Sequence, residues 1–350
     1  MRLYADAMDL EFVRELEFEY GRVDRVAPRI RRVIANNPGP FTYLGTGTYI
    51  VGTGEVAVID PGPDDPVHLA ALEAALMGET VTHIFVTHTH RDHSPGALPL
   101  QERTKAPTYA FGPHPHSDEP PEPVTAEEAQ AAEKAAAEKA ATAQTEAEDG
   151  DPTSPSAPNP QRLEDSYDAA FSPDIHLRDG DVVNGTDWSI EAVYTPGHIA
   201  NHLCFALREE RALFSGDHVM GWSTSVISPP AGDMTAYLAS LAKLLDRPET
   251  TYWPTHGPAL TEPLPYVRGL IGHRQAREAG VFQRVAAGDR SVGELVTSLY
   301  VGLDPRLVKA AGRSVLAHLR KLVAEDRVDW EPDPTYDTGV PNTTSVYYIG

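Results

Sequence analysis

The segment 87–93 constrains the chain more than any other, because it places four metal-competent side chains within six residues. His88, His90, Asp92 and His93 directly follow the apolar run 81–87, which we predict to be a strand. Burying such polar groups is costly unless something binds them. Neutral imidazoles and a carboxylate suit borderline divalent metals, above all zinc. The Asp92–His93 step breaks the two-residue alternation of a strand, which favours two adjacent ions over one.

Three further metal-competent residues follow other predicted strands. His198 comes after the strand 188–195, Asp217 after 212–216 and His256 after the short strand that begins at 251. Active-site groups collect where strand ends form one rim. We therefore predict two cation sites, with these ligands: His88, His90 and His198 on the first ion, Asp92, His93 and His256 on the second, and Asp217 bridging the two. The alternative is a scatter of surface histidines, which seven residues at strand ends argue against.

The order of strands and helices predicts an α/β fold with two domains. The predicted elements are strands at 48–52, 55–60, 81–89, 188–195, 202–208, 212–216 and 251–257, with helices at 65–78 and 233–246. Residues 1–37 have an acidic, helix-like pattern followed by RVIANN. We place a catalytic domain at 1–264 and a mostly helical domain at 265–350, which ends in two strands joined by a polar loop.

Residues 114–165 differ in kind from the rest of the chain. They hold thirteen acidic and three basic residues, and their central block has strong helix formers but no large apolar side chain. Such a segment has almost nothing to bury. We interpret it as an acidic low-complexity insertion, disordered or loosely helical; a partner-binding or gating role is the alternative.

Composition excludes several classes of protein. The formal net charge of −22 argues against a nucleic-acid binder that uses its whole surface. The single cysteine, Cys204, excludes a disulfide framework and a cysteine-rich metal site. The N-terminus lacks the apolar region of a signal peptide, and no apolar run is long enough to span a membrane. We expect a cytoplasmic protein with no membrane partner, and a homodimer stays open.

The motifs together resemble the metallo-β-lactamase-fold superfamily. The resemblance rests on His-x-His-x-Asp-His at 88–93, Thr-Pro-Gly-His at 195–198, Gly-Asp at 216–217 and the late His256, and it runs from about 40 to 260 apart from the insertion. It implies an αββα sandwich with two zinc ions per chain; other divalent ions such as Mn²⁺ or Fe²⁺ stay open. It also implies that Asp60 lies at a strand end near the metals, where it would orient a ligand imidazole.

A narrower resemblance concerns the branch of that superfamily with a C-terminal winged helix, which includes the mitochondrial β-lactamase-like endoribonuclease and its bacterial relatives. It rests on the stretches 37–52 and 272–278 and on SVLAHLRKLVAEDRV near the C-terminus. The resemblance implies that the C-terminal domain is winged-helix-like. The sequence departs from this branch at Gly47, where the branch commonly has asparagine.

The predicted chemistry is hydrolysis by a metal-bridging hydroxide, which two adjacent cations would generate near neutral pH. We assign catalytic roles to Asp92 and Asp217. His218, which follows Asp217, would contact substrate or lie just behind the ligands.

Three functions stay open at this point. The first is a zinc hydrolase of a small acyl substrate: an ester, thioester or lactam. The second is an endoribonuclease or phosphodiesterase on single-stranded RNA, guided by a basic helix face on which Arg306, Lys309, Arg313 and Arg320 share a 60° arc. The third is a winged-helix regulator with a non-catalytic metal site. We favour the first.

Overall fold

The computed structural model describes residues 10–116, 119, 167–303 and 307–350. Seven strands form the first sheet, in chain order from β1 to β7: Val23–Ala27, Ile30–Ile34, Gly47–Thr53, Glu55–Ile59, Thr80–Phe85, Thr108–Ala110 and Ile175–His176. Strands β1 to β4 pair antiparallel, whereas β4 to β7 pair parallel. The parallel strands carry their carboxyl ends, and hence the loops that follow them, to one edge of the sheet.

Five strands form the second sheet in the order β12-β11-β10-β9-β8. In chain order they are Val182–Asn184, Ser189–Tyr194, Leu203–Leu207, Ala212–Gly216 and Thr251–Pro254, for β8 to β12. The pair β11–β12 is parallel and the other pairs are antiparallel. The strand ends that bear His198, Asp217 and His256 therefore belong to this sheet.

Helices cover the outer face of each sheet. The helices α1 to α6 are Pro66–Ala75, Ala97–Thr104, Met234–Leu244, Pro263–Ala286, Val292–Leu299 and Val308–Ala324. Helix α1 begins where the Asp65 carboxylate accepts a hydrogen bond from the Val67 backbone N–H, and Pro66 fits its first turn. Helix α3 begins in the same way, at Asp233.

Three apolar layers hold this arrangement together. Between the sheets, aromatic side chains such as Tyr49, Phe85, Trp188, Phe205 and Phe214 form a buried core. Helices α1 and α2 pack on the outside of the first sheet, and α3 and α4 pack on the outside of the second. The result is a four-layer αββα sandwich, and the predicted fold is confirmed.

A fourth core joins the C-terminal elements. Val281 and Val285 of α4 pack there with α5, α6 and the strands β13 (Asp329–Glu331) and β14 (Val346–Tyr348), which pair antiparallel. The first half of α4 packs instead in the core behind the second sheet, through Val267 and Leu270. The 24-residue helix α4 thus belongs to both cores, and the boundary drawn at 264 falls within its first turn.

The N-terminal prediction was wrong for the described residues. Residues 10–19 form no helix, and the chain then forms the β1–β2 hairpin. Burial of Ile30, Val33 and Ile34 against the rest of the sheet stabilises the hairpin, whereas residues 11–19 are mostly exposed.

The insertion falls almost wholly outside the described residues, so its predicted disorder or loose helix stays a prediction. Its two ends lie together beside the loop 87–93: the rings of His114 and Tyr167 stack with centroids 3.5 Å apart. The backbone N–H of Asp168 donates to the carbonyl of Thr89 over 2.8 Å. No helix among the described residues is long and apolar enough to cross a lipid bilayer.

Candidate metal centre

Four of the predicted ligands form a first group at the shared rim of the two sheets: His88, His90, His198 and Asp217. His90 Nδ1 lies 2.8 Å from His88 Nε2 and 3.0 Å from His198 Nε2. Asp217 Oδ2 lies 3.8 Å from His198 Nε2. Three ring nitrogens and a carboxylate oxygen thus converge on one point.

The other three predicted ligands form a second group, which contains Asp92, His93 and His256. Asp92 Oδ2 is 3.0 Å from His256 Nε2 and 3.4 Å from His93 Nε2. Asp217 also reaches this group, since its Oδ2 lies 3.5 Å from His93 Nε2 and its Oδ1 lies 3.5 Å from His256 Nε2. The two groups are the two sets proposed from the sequence, with Asp217 between them; the metal-binding role of each residue stays a prediction.

The hydrogen bonds of two histidines, His198 and His256, identify the ring nitrogen that faces the cluster of predicted ligands. His198 Nδ1 donates to the carbonyl of Val226 over 2.6 Å, and His256 Nδ1 donates to the carbonyl of Gly45 over 3.1 Å. Because a carbonyl only accepts, each Nδ1 carries a proton, and when the ring is neutral the Nε2 lone pair is free for a metal. His90 differs, since its Nδ1 is the nitrogen that faces the group.

Asp60 fixes His93 from behind. Its Oδ2 accepts from His93 Nδ1 at 2.9 Å and from the hydroxyls of Thr87 and Thr255 at 2.8 and 3.0 Å, and its Oδ1 accepts from the Thr87 N–H at 2.7 Å. The backbone of Asp60 has φ +48°, which is rare outside glycine. Local strain of this kind is retained where surrounding contacts determine the conformation.

Two further histidines lie behind Asp217. His202 Nε2 accepts from the Asp217 backbone N–H at 3.2 Å, while its Nδ1 pairs with the Thr195 hydroxyl. His218 is fully buried against Tyr237 and is absent from the wall of the pocket described below. The predicted contact between His218 and substrate is therefore not supported: the chain turns after Asp217 and directs the next side chain into the core.

Electrostatics separate the two groups. Burial, assisted by neighbouring imidazoles, lowers the pKa of His88 and His198 and lowers that of His90 to about 3. Burial also opposes the charged form of His256, but the carboxylates of Asp217 and Asp92 outweigh it and raise the pKa of His256 to about 10. The first group is thus a set of neutral imidazoles, and the second is a network of ion pairs.

These residues fit divalent metal. His93 Nε2 and Asp217 Oδ1 are buried without a hydrogen-bond partner in the described part of the chain, although both face the cluster. Buried polar atoms are rarely left unsatisfied, so a ligand that accepts their lone pairs accounts for them. Imidazole and carboxylate donors are those that zinc and similar ions take.

A pocket of about 610 Å³, including space open to solvent, lies over the two groups. Its floor contains His90, Asp92, His198, Asp217 and His256, and its wall contains Phe41, Thr42, Met220, Val226, Ser228 and Ala231. Val226 and Ser228 belong to the loop 221–230. Phe41, Thr42 and Met220 were missed, because they lie in loops without periodic pattern.

Comparison with known proteins places this geometry in a family. The Metallo-beta-lactamase superfamily pattern matches residues 43–256, which contain both groups. The chain belongs to the metallo-β-lactamase superfamily. A second pattern, the Beta-lactamase associated winged helix domain, matches residues 291–336 and confirms the predicted branch. The protein is thus a hydrolase of this superfamily.

Full-length relatives support this membership. The chain is 26% identical to the Beta-lactamase-like protein 2 homolog of Caenorhabditis elegans over 325 residues, with 90% of each chain covered. It is 28% identical to an Atrochrysone carboxyl ACP thioesterase of Aspergillus terreus (strain NIH 2624 / FGSC A1156) over 301 residues, which cover 81% of this chain and 76% of the relative. A beta-lactamase domain protein of Burkholderia ambifaria shares the fold, with a TM-score of 0.70 at 21% identity over 99% of both chains.

The described residues of the predicted basic face of the winged-helix domain do not share one exposed surface. Arg313 is buried, and Arg320 donates to both carboxylate oxygens of Glu119 and to the carbonyl of Pro341. Lys309 is exposed, and Arg306 lies outside the described residues. Helix α6 continues through Gly312, so a break in the helix is not the cause. The cause is that α6 is covered on more than one side, whereas a surface helix would leave its charged face to solvent.

Proposed function

We propose that this superfamily member is a dinuclear zinc hydrolase of acyl compounds, with a thioester, ester or lactam-type substrate. The observation that carries the proposal is the convergence of seven side chains in two adjacent groups beneath a mostly apolar pocket. When bound, a pair of divalent ions supplies Lewis acidity and lowers the pKa of a shared water toward neutrality. His88, His90 and His198 would hold one ion, Asp92, His93 and His256 the other, and Asp217 both.

The carboxylates of the centre divide the remaining work. Asp217 lies between the groups, since its Oδ2 is 3.8 Å from His198 Nε2 in the first group and its Oδ1 is 3.5 Å from His256 Nε2 in the second, and so would fix their separation. Asp92 has the more exposed side chain, at 15% against 10% for Asp217, and it lies in the pocket floor. Asp92 is therefore placed to accept a proton from the attacking water at its free oxygen.

The pocket wall favours an acyl substrate over a polyanion. Phe41, Met220, Val226 and Ala231 offer apolar surface to an acyl chain. Among the described residues that line the pocket, none is a lysine or arginine, so no cationic side chain there would neutralise the phosphates of a polyanion. The named substrate of the thioesterase relative, a carrier-protein thioester, is of the same acyl class.

Metal analysis with a substrate panel tests the proposal. The panel contains thioesters, esters, a lactam and single-stranded RNA, and it compares the wild type with Asp217→Ala and with the exposed control Asp246→Ala. We expect two zinc ions per chain and acyl turnover in the wild type and the control, and a loss of more than about 100-fold in Asp217→Ala. RNA cleavage without acyl turnover, or equal turnover in all three proteins, would overturn the proposal.

A further inference from the structure

Arg274 is a buried cation in helix α4, which follows the last predicted ligand, His256, along the chain. It is 5% exposed, and no carboxylate lies within ion-pair distance of it in the described ranges. One guanidinium nitrogen, Nη2, donates to the carbonyl of Ser225, and the group lies over the Tyr237 ring, 5.6 Å from its centroid. Burying a charge without an ion-pair partner is costly, so the contacts that Arg274 makes must offset that cost.

The Ser225 segment holds the backbone of the metal centre. The Ser225 hydroxyl lies 2.6 Å from the carbonyl of Asp217 and 2.8 Å from that of His218, and it can donate to either. The Tyr237 hydroxyl donates to the same His218 carbonyl over 3.1 Å. The Asp217 carbonyl is thus hydrogen-bonded to Ser225, whose own carbonyl accepts a hydrogen bond from Arg274.

The next residue along the chain connects this segment to a second predicted ligand. The Val226 carbonyl, which belongs to the following peptide 226–227, accepts the Nδ1 proton of His198, so the position of that peptide sets the direction of the His198 ring. Ser225 and Val226 are adjacent, and a shift of the Ser225 carbonyl would move the Val226 carbonyl with it. Of the predicted ligands, His198 and Asp217 are hydrogen-bonded to this segment, whereas Asp92, His93 and His256 are hydrogen-bonded elsewhere.

We propose that Arg274 is a positioning residue for the metal centre: it clamps the 225–226 peptide and thereby fixes His198 and the backbone of Asp217. The inference rests on the proposed function, since it assumes that the two groups bind metal. It also assigns helix α4, which continues into the winged-helix core, a part in building the hydrolytic site. Arg274 stays buried as a charged group because its guanidinium holds the loop around Ser225, which forms neither helix nor strand.

The test measures zinc affinity by chelator competition in the full-length chain, together with the Co²⁺ absorption spectrum. The variants are Arg274→Met, which removes the donors, Arg274→Lys, which keeps one, and Arg268→Met, an exposed control on the same helix. Residues that orient ligands typically change metal affinity by about 10–100-fold. We expect Arg274→Met to weaken the binding of the zinc ion that His198 would hold by that factor and the binding of the other ion by less, with an altered Co²⁺ spectrum. Arg274→Lys should restore part of the loss, and Arg268→Met should match the wild type.

Two outcomes would overturn the inference. One is wild-type affinity for both ions in Arg274→Met; the other is equal weakening of both ions without any recovery in Arg274→Lys, as general loss of packing would cause. If Arg274→Met does not fold, Ser225→Ala replaces it, and unchanged metal binding there would break the proposed connection. A wild type that binds no metal would refute the proposed function itself, which separates that failure from failure of the inference.

Discussion

Replacing Asp60 by asparagine tests whether the buried framework sets the protonation of a predicted ligand. Asparagine keeps the shape of the side chain and one acceptor oxygen, and it tolerates the φ of +48° at this position. With its oxygen opposite the Thr87 N–H, its amide nitrogen takes the place of Oδ2. In the wild type, Oδ2 accepts from His93 Nδ1 and from the hydroxyls of Thr87 and Thr255.

The consequence falls on His93. An amide N–H₂ would face the Nδ1 proton of His93, and two donors repel each other. The conflict is relieved when the proton moves to Nε2, which faces Asp92 and Asp217 and is the nitrogen expected to bind metal. We expect the affinity for the second ion to fall about 10–100-fold, or about 1.4–2.7 kcal/mol. The metal-free protein should lose about 1–3 kcal/mol of stability, because the two hydroxyls must find new partners.

Chelator competition and urea unfolding of the metal-free protein measure the two effects. Asp65→Asn is the matched control, because Asp65 caps helix α1 by accepting from a backbone N–H and asparagine caps equally well. The reasoning is refuted if Asp60→Asn binds both ions with wild-type affinity.

Three further outcomes follow from the packing and can be checked independently. Gly197→Ala should lower the free energy of unfolding, measured with urea, by at least about 2 kcal/mol, because Gly197 has φ +142° and a Cβ would lie 2.3 Å from the Tyr237 Cα. The control Gly272→Ala, on an open helix face, should raise it by up to about 1 kcal/mol. Equal effects of the two variants would contradict this reasoning. Burial raises the pKa of the Cys204 thiol to about 12, so iodoacetamide at about pH 8.5 should modify the thiol only after unfolding. The contribution of the buried neutral thiol to stability is present below about pH 8.5 and is lost as the pH rises toward 12. Arg320→Gln should lower stability by at most about 1 kcal/mol and leave acyl turnover unchanged, and a lost activity would speak against the acyl assignment.

Residue type and strand order together predicted the grouping of the centre. His198, Asp217 and His256 each follow a strand of one sheet, and strand ends on the same edge must meet. The outer supports were partly out of reach, because the carbonyls of Gly45 and Val226 come from the backbone and carry no signature in the side chains. Asp60 could be predicted only because an aspartate side chain, unlike a backbone carbonyl, can be identified in the sequence.

The failures have a common physical cause, which is that a pattern along one element does not report how many sides of it are covered. The arc of arginines on α6 was read as a solvent face, yet Arg313 is buried and Arg320 is held by Glu119. In the N-terminal hairpin, Arg31 and Arg32 interrupt the alternation that would have indicated a strand, although Arg32 is itself buried. Tertiary packing decided both cases.

The long helix that contributes to two cores couples their unfolding. Cutting the chain before Pro263 would strip Tyr266, Val267 and Leu270 from the apolar layer behind the second sheet. Losing the C-terminal elements alone would leave Val281 and Val285 bare on a protruding helix. Hydrolase and winged-helix portions should therefore melt in a single cooperative transition.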